Sequence, residues 1–423
     1  MDKESKRREK TERKILTNGT ILTPLRKMEK GTIRVEGGEI QHISQSMPEE
    51  LEEDGCEKID LKGNYVVPGF IDIHLHGGGG ADLMDGTVDA LRTITRTHAA
   101  HGTTALLPTT TTAPWEEIEQ ALDVIRELSR EERLSGGGKV LGAHVEGPYF
   151  SGEQAGAQNP DYLTQPGSER KRYLKFLKEY GDSILRFSAA PELPGGLELG
   201  RKLRERGILV SIGHSDATYE EVLEAIEAGY THSTHMFSGM SGLERKEGYR
   251  ISGLIESTLL LDELTTEIIA DGHHLPPSLI RLTLKAKGAE KLALVTDSMR
   301  AAGLGAGDYE IGGLDVIVED RVSEEFELPR EEGNYVAKLP DRTAFAGSVA
   351  TMDQLIRTMV GKVGLSLEET LKMATYNPAR IMGVEDEYGL LRKGRAADMV
   401  IMNEELEVKD VLVDGKFLEK GIG

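Results

Sequence analysis

The sequence predicts an α/β protein: a (β/α)8 TIM barrel with a small β-sandwich domain built from the N- and C-terminal segments. Three observations predict it. Eight apolar runs rich in Val, Ile and Leu recur between residues 65 and 299, and helix-periodic sequence follows nearly all of them. The runs are near-continuous rather than alternating, as in strands covered on both faces. Both chain ends instead carry short alternating segments with glycine turns and too few apolar residues for cores of their own. A doubly wound open sheet is the alternative for the same beat.

Taken in order, residues 1–14, MDKESKRREKTERK, form a charged leader with both signs, expected to be disordered and without the apolar core of a secretory signal. Residues 15–66 read as short antiparallel strands with turns at Asn18-Gly19 and Gly37-Gly38. Residues 384–423 share that texture and complete the small domain, leaving 67–383 for the barrel. The eight strands are YVVPGFIDIHLH, TTALLPTT, VLGAHVEGP, ILRFSAAPE, GILVSIGHSD, THSTHMF, TTEIIADGHH and KLALVTDSM. WEEIEQALDVIRELSREERL and TYEEVLEAIEAGY are examples of the intervening helices. Residues 308–343 interrupt the beat with β-like, acidic sequence, expected as an excursion near the mouth of the barrel.

Composition removes several function classes. A formal net charge of −21 argues against capture of nucleic acid or an anionic membrane surface. No run is long and apolar enough to span a bilayer, and the single cysteine, Cys56, suits a reducing compartment, so a cytoplasmic location is expected.

The polar residues fall at the strand ends. The first strand ends in His74 and His76, the third in Glu146, the fifth in His214, the sixth in His235, the seventh in Asp271, His273 and His274, and the eighth in Asp297. In a barrel these ends converge on one rim, where active sites sit. Each has a dull explanation alone, such as a helix cap for Glu146 or Asp297, but their joint placement points to a metal site. His98, His101 and His144 read as structural. Mixed imidazole and carboxylate ligands suit a divalent transition metal rather than Mg²⁺ or Ca²⁺. Such an ion lowers the pKa of bound water, and Asp297 is placed to move the proton, which predicts hydrolysis of a C–N bond. No serine elbow, Walker motif or dinucleotide-binding glycine pattern is present.

These residues resemble the metal-dependent amidohydrolase superfamily, and within it the N-acetylglucosamine-6-phosphate deacetylases. The resemblance runs from VVPGFIDIHLHG through HVEGPY, IGHSDA, THSTHMF, ADGHH and LVTDSM to FAGS and GLLRKGRAADMVIM. It implies a metal, Zn²⁺ or Fe²⁺, on Glu146, His214 and His235, with Asp297 as acid/base and His274 in substrate binding. It also implies a sugar-phosphate grip by the backbone at Ser238 and Gly239, and Arg245 reaching the substrate of a neighbouring subunit in a homodimer. Lys246 or Arg250 is an alternative to Arg245. Gln158 stands where some members have a histidine that polarises the acetamide carbonyl, and Ser238-Gly239 where asparagine is frequent. His74 and His76, which one-metal members lack, are expected to hold a second ion with Glu146 bridging, giving one or two metals per subunit. The substrate implied is a small amino-sugar phosphate. The galacto epimer or an unphosphorylated acetamido sugar is the alternative, and another C–N hydrolase of the superfamily is a more distant one.

Overall fold

The computed structural model describes residues 13–46, 56–129, 136–323 and 328–419, and the side chains among these outside 321–333. The expected disordered leader lies outside the described residues up to residue 12, but its last two residues, Arg13 and Lys14, open the strand Arg13–Thr23, where Lys14 is buried. Eight parallel strands occupy the eight predicted runs: Phe70–Leu75, Thr103–Pro108, Ala143–Glu146, Ile184–Ala189, Leu209–Ile212, Tyr230–Ser233, Thr265–Ile268 and Leu292–Leu294. They form two curved sheets. The first two, joined by Lys139–Val140, make one, and the other six make the second, in chain order. Backbone hydrogen bonds link the sheets at both edges. Thr110 N donates to His144 O at 3.0 Å on one side; on the other, Asp297 N donates to His74 O at 2.9 Å and His76 N to Ser298 O at 2.8 Å.

Helices cover the strands. Trp115–Ser129 buries Trp115, Ile118, Leu122, Ile125 and Leu128 at the three-and-four spacing of one helical face. In Tyr219–Ala228, Thr218 and Glu221 form a reciprocal capping box, and Gly229 closes the helix in the left-handed conformation. Among the described residues no helix is long and apolar enough to cross a membrane.

Strands from both terminal segments, between Arg13 and Pro68 and between Met399 and Phe417, enter a single eight-stranded sheet, in which Met399–Met402 pairs antiparallel with Tyr65–Pro68. One face encloses its own cluster of Leu16, Ile33, Val66, Met399 and Leu412. Two details depart from the sequence reading. YVVPGFIDIHLH is two strands, not one: Tyr65–Pro68 belongs to the terminal sheet and the parallel strand starts at Phe70. Asn18-Gly19 is not a turn but an irregularity within strand Arg13–Thr23, where the register slips and Asn18 takes a φ of 57°. Residues Gly307–Ile311, Leu314–Ser323 and Leu328–Lys338 form a separate three-stranded antiparallel sheet, which accounts for the predicted excursion.

Candidate metal centre and active site

The regular ladders stop two or three residues before the functional side chains at His214, His235, Asp271 and Asp297. Beyond the ladder the backbone turns sharply: φ is 46° at His214, 24° at His235 and 47° at Asp297. Left-handed backbone at three non-glycine residues is strain, held in place by the packing around it.

Four histidines share one arrangement. His76 Nδ1 lies 3.1 Å from Thr109 O, His214 Nδ1 2.8 Å from Gln154 O, and His235 Nδ1 3.0 Å from Ser238 O. A carbonyl only accepts, so these three rings carry hydrogen on Nδ1. His74 Nδ1 lies 2.8 Å from the carboxylate of Glu267. All four Nε2 atoms therefore turn inward, onto Glu146 and Asp297. Glu146 Oε1 is 3.4 Å from His74, 3.6 Å from His214 and 3.3 Å from His235, while Oε2 is 3.5 Å from His76. Asp297 Oδ1 lies 3.2 Å from His76 Nε2 and 3.4 Å from that of His74.

Two triplets bring their ligand atoms within 4.8 Å of one another: His74, His76 and Asp297, and His74, Glu146 and His235. Two of the atoms aimed into this space, His74 Nε2 and Glu146 Oε1, are buried without a hydrogen-bond partner. Inward-facing ring nitrogens, a dense set of N and O ligand atoms and orphaned buried atoms together fit a divalent transition cation.

The electrostatics agree. Burial works against charge on His74, but Glu146, Asp297 and Glu267 outweigh it and hold its pKa well above the ordinary histidine value. Burial also opposes charge on Glu146 and Asp297. The surrounding imidazoles, His74 foremost, nevertheless keep both carboxyls below their usual range and ionised at neutral pH.

A cavity of about 210 Å³ opens over the cluster, lined by His76, Glu146, Gln158, His214, His235, Ser238, Gly239, His274 and Asp297 together with Ile311 and Phe345. His274 packs on Phe345 with ring centroids 4.6 Å apart, and its Nδ1 lies 2.8 Å from Asp271 Oδ2. Gly239 closes over His214 at φ 57°, and a Cβ there would stand 2.7 Å from His214 Nδ1. Only glycine fits both demands. Gln158 is tied at both ends, donating to Glu146 Oε2 at 2.8 Å and accepting from Thr112 N at 2.7 Å.

Arg245 is not brought to this cavity. It sits exposed on the hairpin Glu244–Lys246 and Tyr249–Ile251, opposite Arg250. His273 Nε2 lies 2.8 Å from Asn334 Oδ1 of the three-stranded sheet, and His98 and His144 serve structural contacts with Gly77 O and with Thr109 and Ser188. Two buried charges that the sequence reading passed over, Arg186 and Glu267, stand directly behind the cluster.

The comparisons agree with this geometry. A model of the amidohydrolase family matches residues 65–418. The chain is 35% identical to N-acetylglucosamine-6-phosphate deacetylase of Bacillus subtilis over 92% of each protein. It is 32% identical to that of Lysinibacillus sphaericus, over 95% of this chain and 97% of the other. The crystal structure of N-acetylglucosamine-6-phosphate deacetylase from Pasteurella multocida superposes with a TM-score of 0.84 at 32% identity, covering 96% of this chain and 99% of that one. With His, Glu and Asp side chains gathered at the strand ends and likeness along nearly its whole length, the chain belongs to the amidohydrolase family, among the N-acetylglucosamine-6-phosphate deacetylases.

Proposed function

We propose that this enzyme hydrolyses N-acetylglucosamine 6-phosphate to glucosamine 6-phosphate and acetate. The observation that carries the reading is the convergence of four Nε2 atoms on Glu146 beside an ionised Asp297, at the floor of a cavity sized for a small molecule. Glu146, His214 and His235 hold one ion in this reading. His74 and His76 would hold a second beside it, and Glu146 faces all four rings, Oε1 toward His74, His214 and His235 and Oε2 toward His76. Zn²⁺ or Fe²⁺ suits the donor set. When bound, such an ion lowers the pKa of water and polarises the amide carbonyl.

The remaining steps belong to the chain. Asp297 accepts a proton from the attacking water and returns it to the departing amine nitrogen, a role that needs an ionised carboxylate at neutral pH. His274, with Nδ1 committed to Asp271, presents Nε2 to the substrate. Gln158 restrains Glu146 and presents its remaining N–H. The backbone at Ser238 and Gly239 takes the phosphate end.

We further assign the eight parallel strands to one (β/α)8 barrel, with the single terminal sheet, which takes in Tyr65–Pro68, as a separate small β-domain. The enzyme works in the cytoplasm as a homodimer. The exposed hairpin supports the dimer, since Tyr249 on it and Leu243 just before it are 76% and 59% exposed near Arg245.

The test is acetate release by purified, metal-analysed protein from N-acetylglucosamine 6-phosphate, its unphosphorylated form and its galacto epimer. Strong preference for the first supports the reading. Equal rates with and without phosphate exclude the grip at Ser238, Gly239 and Arg245.

A further inference from the structure

A buried ion pair lies under the ligand cluster. Arg186 on the fourth parallel strand and Glu267 on the seventh are both fully buried, and their charged groups meet at 2.5 and 2.9 Å. We propose that Glu267 is a positioning residue for the metal-binding histidines, with Arg186 as the cation that holds it in place. This rests on the metal-site reading above and adds to it a cause for the ligand geometry.

Glu267 touches both ends of the ligand set. Its Oε1 lies 2.8 Å from His74 Nδ1 and accepts from the backbone N of His235 at 3.1 Å. One oxygen thus joins a ligand ring from the first strand to the left-handed backbone of a ligand from the sixth. Its Oε2 faces His232 Nε2 at 3.3 Å. Arg186 Nη1 also donates to Ile73 O at 3.2 Å, the carbonyl adjoining His74. The pair therefore fixes the ring direction of His74 and the spacing between the strands that carry His74 and His235.

Chemistry explains why a carboxylate stands here. A metal-binding imidazole needs hydrogen on the nitrogen remote from the ion, and a carboxylate acceptor secures that tautomer and makes the ring a better donor. The other three ligand histidines use backbone carbonyls. His74 alone takes a charged acceptor, and it is the histidine common to both ligand triplets. A buried Arg–Glu pair is weak support for stability, because desolvation offsets its attraction, so stability alone is a poor account of it.

The test uses purified full-length apo-protein. Glu267→Gln combined with Arg186→Met removes both charges together and leaves no uncompensated ion, while Glu267→Asp keeps the pair but withdraws the carboxylate from His74. Folding is read by near-ultraviolet circular dichroism and melting, metal affinity by zinc competition with a chromophoric chelator, and ligand geometry by the visible spectrum of the Co²⁺-loaded protein. The expected result is a folded variant whose zinc affinity is about 10–100-fold weaker and whose Co²⁺ bands are altered. A folded variant with wild-type affinity and spectrum overturns the proposal. If neither variant folds, ¹⁵N-histidine spectra of zinc-loaded wild type decide. Zinc-shifted Nε2 with hydrogen on Nδ1 of His74 supports the assignment, and any other state overturns it. Wild type that takes up no zinc would instead refute the metal-site reading on which this rests.

Discussion

The Nε2 atoms of His214 and His235 lie 3.2 Å apart, and each ring has already given its Nδ1 hydrogen to a backbone carbonyl. Two lone pairs at that distance repel unless a proton or a metal ion stands between them, and the metal-site reading puts the metal ion there. Removing the metal with a chelator is therefore expected to abolish acetate release and lower Tm, and adding Zn²⁺ or Fe²⁺ to restore both. Glu146→Gln should weaken metal binding by at least about a hundredfold, since even groups behind metal ligands cost 10–100-fold when changed. Metal analysis after dialysis checks both, and an active, metal-free enzyme would refute the site.

Asp297→Asn is expected to lower kcat by roughly 10²–10⁴-fold, the usual contribution of a positioned acid/base, with KM little changed. The side chain suits the backbone here: φ is 47°, a region asparagine enters more readily than alanine. The variant should melt like wild type and keep its metal. Loss of folding or metal would show that Asp297 is needed for more than proton transfer.

Gly239→Ala tests the loop over His214. Its Cβ would stand 2.7 Å from the ring at a backbone angle unfavourable to alanine. The expected outcome is weaker metal binding and higher KM, with stability lowered by more than about 1 kcal/mol and Tm lowered accordingly. Unchanged KM would separate this loop from substrate binding.

Stability should fall with acid in part because of His98, whose pKa burial depresses as it does those of His144 and His232. Burial pushes the His98 pKa down to about 4 from 6.5, with the Gly77 carbonyl only partly offsetting it. The unfolded chain takes up this proton near pH 6.5 and the folded chain only near pH 4. The contribution is thus complete above pH 6.5 and falls by about 1.4 kcal/mol for each pH unit below it, until pH 4. Urea unfolding between pH 7 and 5 checks this, and His98→Gln should flatten the slope. An unchanged slope would place the acid sensitivity elsewhere.

The strands and the ring of strand-end residues were legible because both-face burial gives continuous apolar runs, and because a polar residue that ends such a run stands out. Arg186 and Glu267 were harder to see. They lie inside runs, ILRFSAAPE and TTEIIADGHH, whose apolar neighbours mark them as buried. That was itself a signal: an acid and a base, each inside a strand covered on both faces, require partners, and here each is the other's. The hydrogen bonds that Gln158 donates to Glu146 and accepts from Thr112 could not be read from any local pattern, since they join residues 12 and 46 positions apart. Arg245 was legible only as a basic residue in a polar stretch, and its position outside this chain's cavity depends on how the hairpin projects. The bulge at Asn18-Gly19 imitates a turn because both use left-handed asparagine.

The terminal sheet also sets an order of events during synthesis. Met399 lies opposite Pro68, about 330 residues earlier, and Gly69 N donates to Asp398 O at the entrance to the strand that carries His74 and His76. The ribosome thus delivers the neighbour of the strand Tyr65–Pro68 only after about 330 further residues. Until then Tyr65–Pro68 has one unpaired edge, open to pairing with other nascent chains, and the first ligand-bearing strand lacks its anchor. A chain stopped short of residue 398 would carry nearly all the chemistry described here while remaining prone to aggregation and slow to take up metal.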